Sequence, residues 1–502
     1  MPSPNPGSLA WLLRHDVRLG WRDFRAGFGS LGSRSLGGLV LAVVGIMHAA
    51  VWGLADEVGT LAADPATRPE ALGLALPAAG FVLLLMLAQT LNGATKLLYA
   101  RGDLDLLLSS PASPPRVLGA RAAAVALGAF TSAALFVLPV ADAAALAGHG
   151  RLLALYPTLA GGALLAAALG LAGTLALFRI VGPRRARLAA QVLATFVGAG
   201  FVIVLQLRRL LPGLLPQAGP APGGWAEAAM LLPVRAGLGD ADALLLWCGG
   251  GLAAFAVAAR LLGPAFAGSV QAAAGAAGPA PRSGTSRGRG GAFPSGPLPA
   301  LRRKEWRLIA RDPWVVSQVL LQILYMTPLI ALLWSGSGDP ALALAPMVAV
   351  VTFQVSSSLT WLGLSGEDAP DLLASCPAPA PALRRGKVQA VGCVTLGIVA
   401  LPLAWLAWTS PAVAAATSAI AAIGLAAAVT LQMWHGQPGR RSSFAARHRE
   451  SKVMALVEMA LSVLFGVAAA LAAFGSLWTL APLALVGVLV AALRPRRTRV
   501  PA

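Results

Sequence analysis

Histidine, cysteine and carboxylate side chains build most catalytic and metal sites, and in this sequence they stand apart. His15, His48, His149, His435 and His448 occur singly, without the spacing that brings two imidazoles onto one metal ion. Cys248, Cys376 and Cys393 are too widely separated for a zinc site and argue against a disulfide framework. A membrane-embedded enzyme needs paired acids, clustered histidines or a serine within reach of a histidine, and the sequence offers no such grouping. Nor does Gly-x-x-x-x-Gly-Lys-Ser/Thr occur, so this chain has no P-loop for ATP phosphates and no cofactor is expected on it.

The remaining polar residues of interest interrupt long apolar runs. Gln89 and Asn92 in one run, and Gln354, Ser356, Ser357 and Ser358 in another, either line a substrate path between two halves or hydrogen-bond between helices. Glu458 and His48 also fall within such runs and read as pore-side or snorkelling residues rather than proton relays.

Those runs set the fold class. Of 502 residues, 57% are hydrophobic and 12% charged, with a mean hydropathy of +0.73, which leaves too few polar side chains to cover several water-facing domains. The runs repeatedly reach about 20 residues, the length that crosses a hydrocarbon layer about 30 Å thick. They lack the period-two alternation of a transmembrane barrel. An all-α, polytopic transmembrane protein is expected, with twelve spans at 36–55, 71–92, 118–141, 153–178, 188–207, 242–263, 315–334, 342–363, 388–408, 412–433, 453–474 and 477–493. The N-terminal stretch has no short apolar core with a small-residue cleavage site, so the first span itself is expected to insert the chain.

Charge then orients the spans. Alternate connecting segments hold 34 of the 39 Lys and Arg, leaving Arg68, Arg151, Arg208, Arg209 and Arg235 on the other side. The rich side is cytoplasmic, and with an even number of spans both termini are cytoplasmic too. This accounts for the net charge of +19 through topology and anionic lipid head groups, without nucleic acid. The single Arg287-Gly288-Arg289-Gly290-Gly291 stretch reads as plain disorder in a linker.

The chain also repeats itself. Asp16-Val17-Arg18-Leu19 with Arg22-Asp23 precedes the first span, and Glu305-Trp306-Arg307-Leu308 with Arg311-Asp312 precedes the seventh. Asp105-Leu106-Leu107-Leu108-Ser109-Ser110-Pro111 follows the second span, and Asp371-Leu372-Leu373-Ala374-Ser375-Cys376-Pro377 follows the eighth. Arg184-Arg185 and Arg440-Arg441 form a third, weaker pair. The offsets of 289, 266 and 256 residues fall in order, as expected if the second copy has lost residues from its outer loops. Six spans per copy place the copies in the same orientation, as parallel repeats about an axis along the membrane normal. The expected organisation is a six-helix half at 1–263, a Gly-, Pro-, Ala- and Ser-rich flexible cytoplasmic linker at 264–300, and a second six-helix half at 301–502.

Each half opens on a segment mixing arginines with apolar residues. Leu9–Arg25 has a rough amphipathic pattern, and Leu301–Asp312 repeats it, so Arg18, Arg22, Asp23, Glu305, Arg307, Arg311 and Asp312 are expected on interfacial helices in the head-group layer. The acidic, leucine-bearing turns ending in proline present Asp103, Asp105, Ser109 and Pro111, and Asp371, Ser375 and Pro377, to the cytoplasm. They serve either as a docking surface or as ordinary loops with a proline stop.

Glu305-Trp306-Arg307-Leu308-Ile309-Ala310-Arg311-Asp312-Pro313, the segment from Asp103 to Arg116, and Gly182-Pro183-Arg184-Arg185-Ala186-Arg187-Leu188 together resemble ABC-2 type permeases, the membrane subunits of bacterial ABC exporters. The likeness touches both halves, through short and degenerate motifs. It implies two half-transporters fused in one chain, in the bacterial inner membrane, with interfacial helices before the first and seventh spans. It also implies two separate P-loop ATPase subunits that bind ATP and Mg and drive the cytoplasmic coupling segments. The second copy departs from the pattern, with Ala378 and Ala380 at Ser or Pro positions, which implies a coupling segment that is weaker or binds its partner differently.

A secondary transporter also commonly has twelve spans in two halves and needs no partner. Ion coupling generally needs acids or histidines within the membrane, and their scarcity here favours an external ATPase.

Overall fold

The computed structural model describes residues 8–26, 33–64, 66–99, 113–182, 224–276, 296–311, 339–364, 380–435 and 452–494, with parts of 189–197. All regular structure among them is helical. The chain divides into two compact units, Met1–Ser283 and Gly284–Ala502.

The first unit contains α1 (Leu9–Ala26), α2 (Ser33–Ala63), α3 (Arg68–Tyr99), α4 (Pro114–Leu146), a 3-10 turn (Gly150–Ala154), α5 (Leu155–Val181), α6 (Trp225–Gly237) and α7 (Ala241–Ala276). Prolines at the first two positions start α4, where the ring fits and a missing N–H costs nothing. Between α6 and α7 the chain turns at Gly239 with φ +90°, a conformation that a residue with a Cβ reaches only under strain. Helix α5 packs against α3, α4 and α7. It meets α7 backbone to backbone: a Cβ on Gly251 would strike the Gly161 carbonyl, while Trp247 lies over Gly161. Small residues at a crossing allow this approach where apolar burial supplies no drive in lipid.

Helix α7 runs on through Pro264 to Ala276, and Phe266 is buried within the cluster of Val117, Leu118, Leu171 and Phe178. The first part of the expected linker, 264–276, is therefore helix. Packing of Phe266 holds it to the bundle, and a proline is tolerated where neighbouring helices support the chain. The rest of that segment up to 295 lies outside the described residues.

The second unit contains α8 (Pro297–Arg311), α9 (Pro340–Leu364), α10 (Ala380–Thr409), α11 (Pro411–His435), α12 (Lys452–Ala473), a 3-10 turn (Leu477–Thr479) and α13 (Leu480–Ala492). Helix α9 is the hub, enclosed by α10, α11 and α12. Phe353 and Phe465 pack with ring centroids 5.4 Å apart, beside Gly424. Only Ser410 separates α10 from α11, whereas residues 147–154 separate α4 from α5.

Eight helices among the described residues are long and apolar enough to cross a membrane: Ala75–Thr95, Pro115–Leu146, Gly150–Val181, Ala241–Phe266, Ala341–Trp361, Arg385–Thr409, Pro411–His435 and Met454–Ala473. They match the expected second, third, fourth, sixth and eighth to eleventh spans. The expected first span lies within helix α2, and the twelfth falls in the shorter apolar stretch Leu477–Ala492. The expected seventh span and much of the fifth lie outside the described residues. The protein is thus an all-α, multi-pass membrane protein.

Candidate functional site

The repeated segments before each half form helices α1 and α8, and both dock on the helix that follows the Asp-Leu-Leu motif, α4 and α10 respectively. Leu12 and Leu301, at matching places in the two copies, are buried. One turn further along, the repeated acid is paired. Asp16 Oδ1 lies 3.1 Å from Arg121 Nη1 on α4, and Glu305 Oε1 lies 3.8 Å from Lys387 Nζ on α10. Lys304 Nζ adds a second contact to Glu305, at 3.7 Å. Arg121 and Lys387 are 266 residues apart, the offset that also separates Asp105 from Asp371.

Burial makes these pairs consequential. The Glu305 and Lys387 side chains are 2% and 9% exposed, and those of Asp16 and Arg121 7% and 16%. Stripping water from charges is repaid only when the partner stays in place, so each pair resists separation of the two helices it joins. Arg14, Arg18, Arg22 and Arg307 project outward, together with Trp21 and Trp306. The helices expected from the amphipathic pattern are present, but part of each covered face packs on protein. Asp23 and Arg311 lie on these helices with side chains outside the described set, and Asp312 lies outside the described residues altogether.

The coupling candidates Asp103, Asp105, Ser109, Pro111, Asp371, Ser375 and Pro377 also lie outside the described residues. The described helices flanking them are α3 with α4 and α9 with α10.

In the second unit the polar residues converge. Ser357 Oγ donates to Glu458 Oε1 at 2.8 Å, Gln432 Nε2 donates to the same oxygen at 2.7 Å, and Gln432 Nε2 also reaches Ser357 Oγ at 3.0 Å. Gln354 Nε2 donates to Ser462 Oγ at 3.2 Å, and the Ser356 and Thr395 hydroxyls meet at 3.3 Å. Together these bonds tie α9 to α10, α11 and α12. Gln354 and Ser357 thus hydrogen-bond between helices, and the Glu458 carboxylate accepts from α9 and α11. Among the described residues their first-half counterparts form no such cluster: Gln89 is half-buried and Asn92 exposed.

Another polar cluster marks the far end of α4. From Arg121 to Asp142 an α-helix rises about 31 Å, a full membrane thickness. There Asp142 accepts from Tyr156 Oη at 2.7 Å and faces His48 Nε2 at 3.2 Å, joining α2, α4 and α5. His149 pairs with Asp56 at 3.4 Å. Arg235 bonds Asp240 and Asp242 at 3.0 and 3.1 Å, and the Asp240 bond raises its guanidinium above the ordinary arginine value. Sequence reasoning ended the third span at 141 and so left Asp142 outside; the helix runs to Leu146.

Among the described residues no group of three or more His, Cys, Asp or Glu is placed to hold a metal ion. Comparison with protein-family models, with curated proteins and with solved structures gave no match to this chain.

Proposed function

We propose that this chain is the membrane-spanning permease subunit of an ATP-driven exporter, two fused six-span halves in a bacterial inner membrane with both termini cytoplasmic. The observation that carries the reading is the recurrence of one buried acid–base contact, Asp16 with Arg121 and Glu305 with Lys387. In each half it locks the leading helix onto the base of the span that follows the Asp-Leu-Leu-x-Ser-x-Pro segment. A push on that segment is thereby passed to a helix lying outside the bundle and to a span inside it. This is what a permease needs where separate ATPase subunits deliver their stroke. The ABC-2 resemblance of the same segments supports it, as does the lack of a P-loop in the chain itself.

The test is purification of the tagged chain from its native membrane. A P-loop ATPase pair is expected to co-purify, Asp105→Ala with Asp371→Ala is expected to weaken that association, and export is expected to require ATP. Transport by the purified chain alone, driven by a proton gradient, overturns the proposal. Cysteines introduced at Arg68 and Arg287 are expected to react with impermeant reagent from opposite sides.

A secondary transporter is the second reading, favoured by Glu458. Its carboxylate has two neutral donors and no Lys or Arg partner among the described residues, an arrangement suited to a proton or monovalent cation. Loss of gradient-driven transport in Glu458→Gln, with no ATPase required, selects it.

A further inference from the structure

The first unit encloses a cavity of about 450 Å³ that none of the repeated motifs contributes to. Its wall is built from α2, α3, α4, α5, α6, α7 and the 3-10 turn, including Leu61, Ala79, Met86, Leu159, Val234 and Trp247. Along α3 it extends from Ala75 to Met86, a rise of about 16 Å. Met86, at the deep end, is 1% exposed, whereas Phe136 on the flank is 61% exposed, so the cavity meets the bundle surface beside α4.

Apart from Glu57, the polar side chains in this wall are already committed. The Trp247 indole donates to the Thr158 carbonyl at 2.9 Å, and the Thr158 hydroxyl to the Ala154 carbonyl at 2.7 Å. A polar ligand entering here would leave its own hydrogen-bonding groups unmet, at a cost that excludes it; a hydrocarbon chain loses nothing. Glu57 is the one charged residue in the lining, and it is exposed, beside Val58 and Leu61 at the end of α2. Its neighbour Asp56 is engaged by His149, and the Glu57 carboxylate has no ion pair among the described residues.

We infer that this cavity binds one hydrocarbon chain of an amphiphile whose cationic head group sits at Glu57. Apolar depth, a flank open beside Phe136 and a carboxylate at the rim together fit a molecule with a long tail and a positive head. That chemistry is shared by membrane lipids with a choline or ethanolamine head and by free single-chain cations. The positive-inside orientation puts the mouth on the outer face. As a resting place for cargo the site rests on the permease reading; as a binding site it does not.

The experiment uses the purified full chain in lipid nanodiscs and needs no ATPase, so its failure leaves the permease proposal standing and the reverse also holds. The probes are an alkyltrimethylammonium with a diazirine at its tail end, the alkyl sulfate of the same length, and a phosphatidylcholine with the diazirine at the end of one acyl chain. On illumination, the ammonium probe is expected to label the peptides carrying Met86 and Leu159. Filling the cavity by Ala79→Trp is expected to cut this labelling at least about tenfold. Leu61→Trp narrows the mouth instead, so misfolding of one variant leaves the other to decide. Glu57→Gln is expected to reduce the preference for ammonium over sulfate about threefold, the size of a partly exposed ion pair. Labelling by the phosphatidylcholine identifies a membrane lipid as the source, and labelling by the single-chain probe alone identifies a free amphiphile. Labelling spread over exposed apolar residues such as Leu246 and Leu401, unchanged by either tryptophan, overturns the proposal. Equal capture of ammonium and sulfate by the unaltered chain overturns the role of Glu57.

Discussion

The two halves carry the same rivet at one end and differ in what lies beyond it. In the first, the bundle is joined by close glycine contacts, Gly251 on Gly161 and Gly170 beside Thr90, and its far end is elaborated by α6 and the connection at 147–154. In the second, hydrogen bonds among Glu458, Gln432 and Ser357 link α9, α11 and α12. The connections that follow are Ser410 alone and residues 474–479. Leu152 of the 3-10 turn, Pro233 and Val234 of α6 and Leu238 just after it form part of the wall of the first unit's cavity. The two units thus share one buried acid–base contact between a leading helix and the helix it docks on, and differ in the elements beyond it.

The sharpest way to break this comparison is to remove one basic partner from each rivet. Arg121→Ala should cost about 3–5 kcal/mol, the usual penalty for stranding a buried charge, read from the unfolding midpoint in detergent. Lys387→Ala should cost less, because Lys304 stays within 3.7 Å of Glu305. A larger loss from Lys387→Ala would show that the two contacts are not equivalent elements.

The glycine crossings come next. Gly251→Ala should lose roughly 1–3 kcal/mol, since its new Cβ meets backbone that cannot rotate away. Gly424→Ala in the second half should be nearly neutral, as its Cβ would find Phe353 and Phe465 at 3.8 Å. Equal sensitivity would erase the distinction between a glycine-joined and a polar-joined bundle.

Smaller effects separate structure from transport in the polar cluster. Gln432→Ala should cost about 0.6 kcal/mol, as interhelical hydrogen bonds in lipid typically do, and leave the proposed export intact. Complete loss of transport would move Glu458 from scaffold to ion site. The smallest change is expected at Asp242→Asn, whose side chain is 69% exposed: the unfolding midpoint should stay put, within the roughly 0–1 kcal/mol of surface ion pairs.

Much of the fold could be read from hydropathy, because a span must satisfy its own backbone and so advertises its length. The helical character of Leu9–Ala26 and Pro297–Arg311 was legible for the related reason that their arginines and apolar residues alternate at helical spacing. What stayed hidden depends on partners distant along the chain. Arg121 and Lys387 look like topology-setting flanks until Asp16 and Glu305 are found against them, although their shared offset of 266 was a usable signal. Gln432 sits near the end of its span, where a polar residue is unremarkable in sequence. The cavity has no motif at all: its walls are ordinary Ala, Leu and Val from seven elements, and only their convergence makes a site.

The rivet also bears on how the chain is made. Asp16 precedes the first two spans and Arg121 begins the third, so α1 cannot be seated until the third span has left the ribosome. The first half is therefore committed to its final packing late in its own synthesis, after the orientation of its first two spans is already decided.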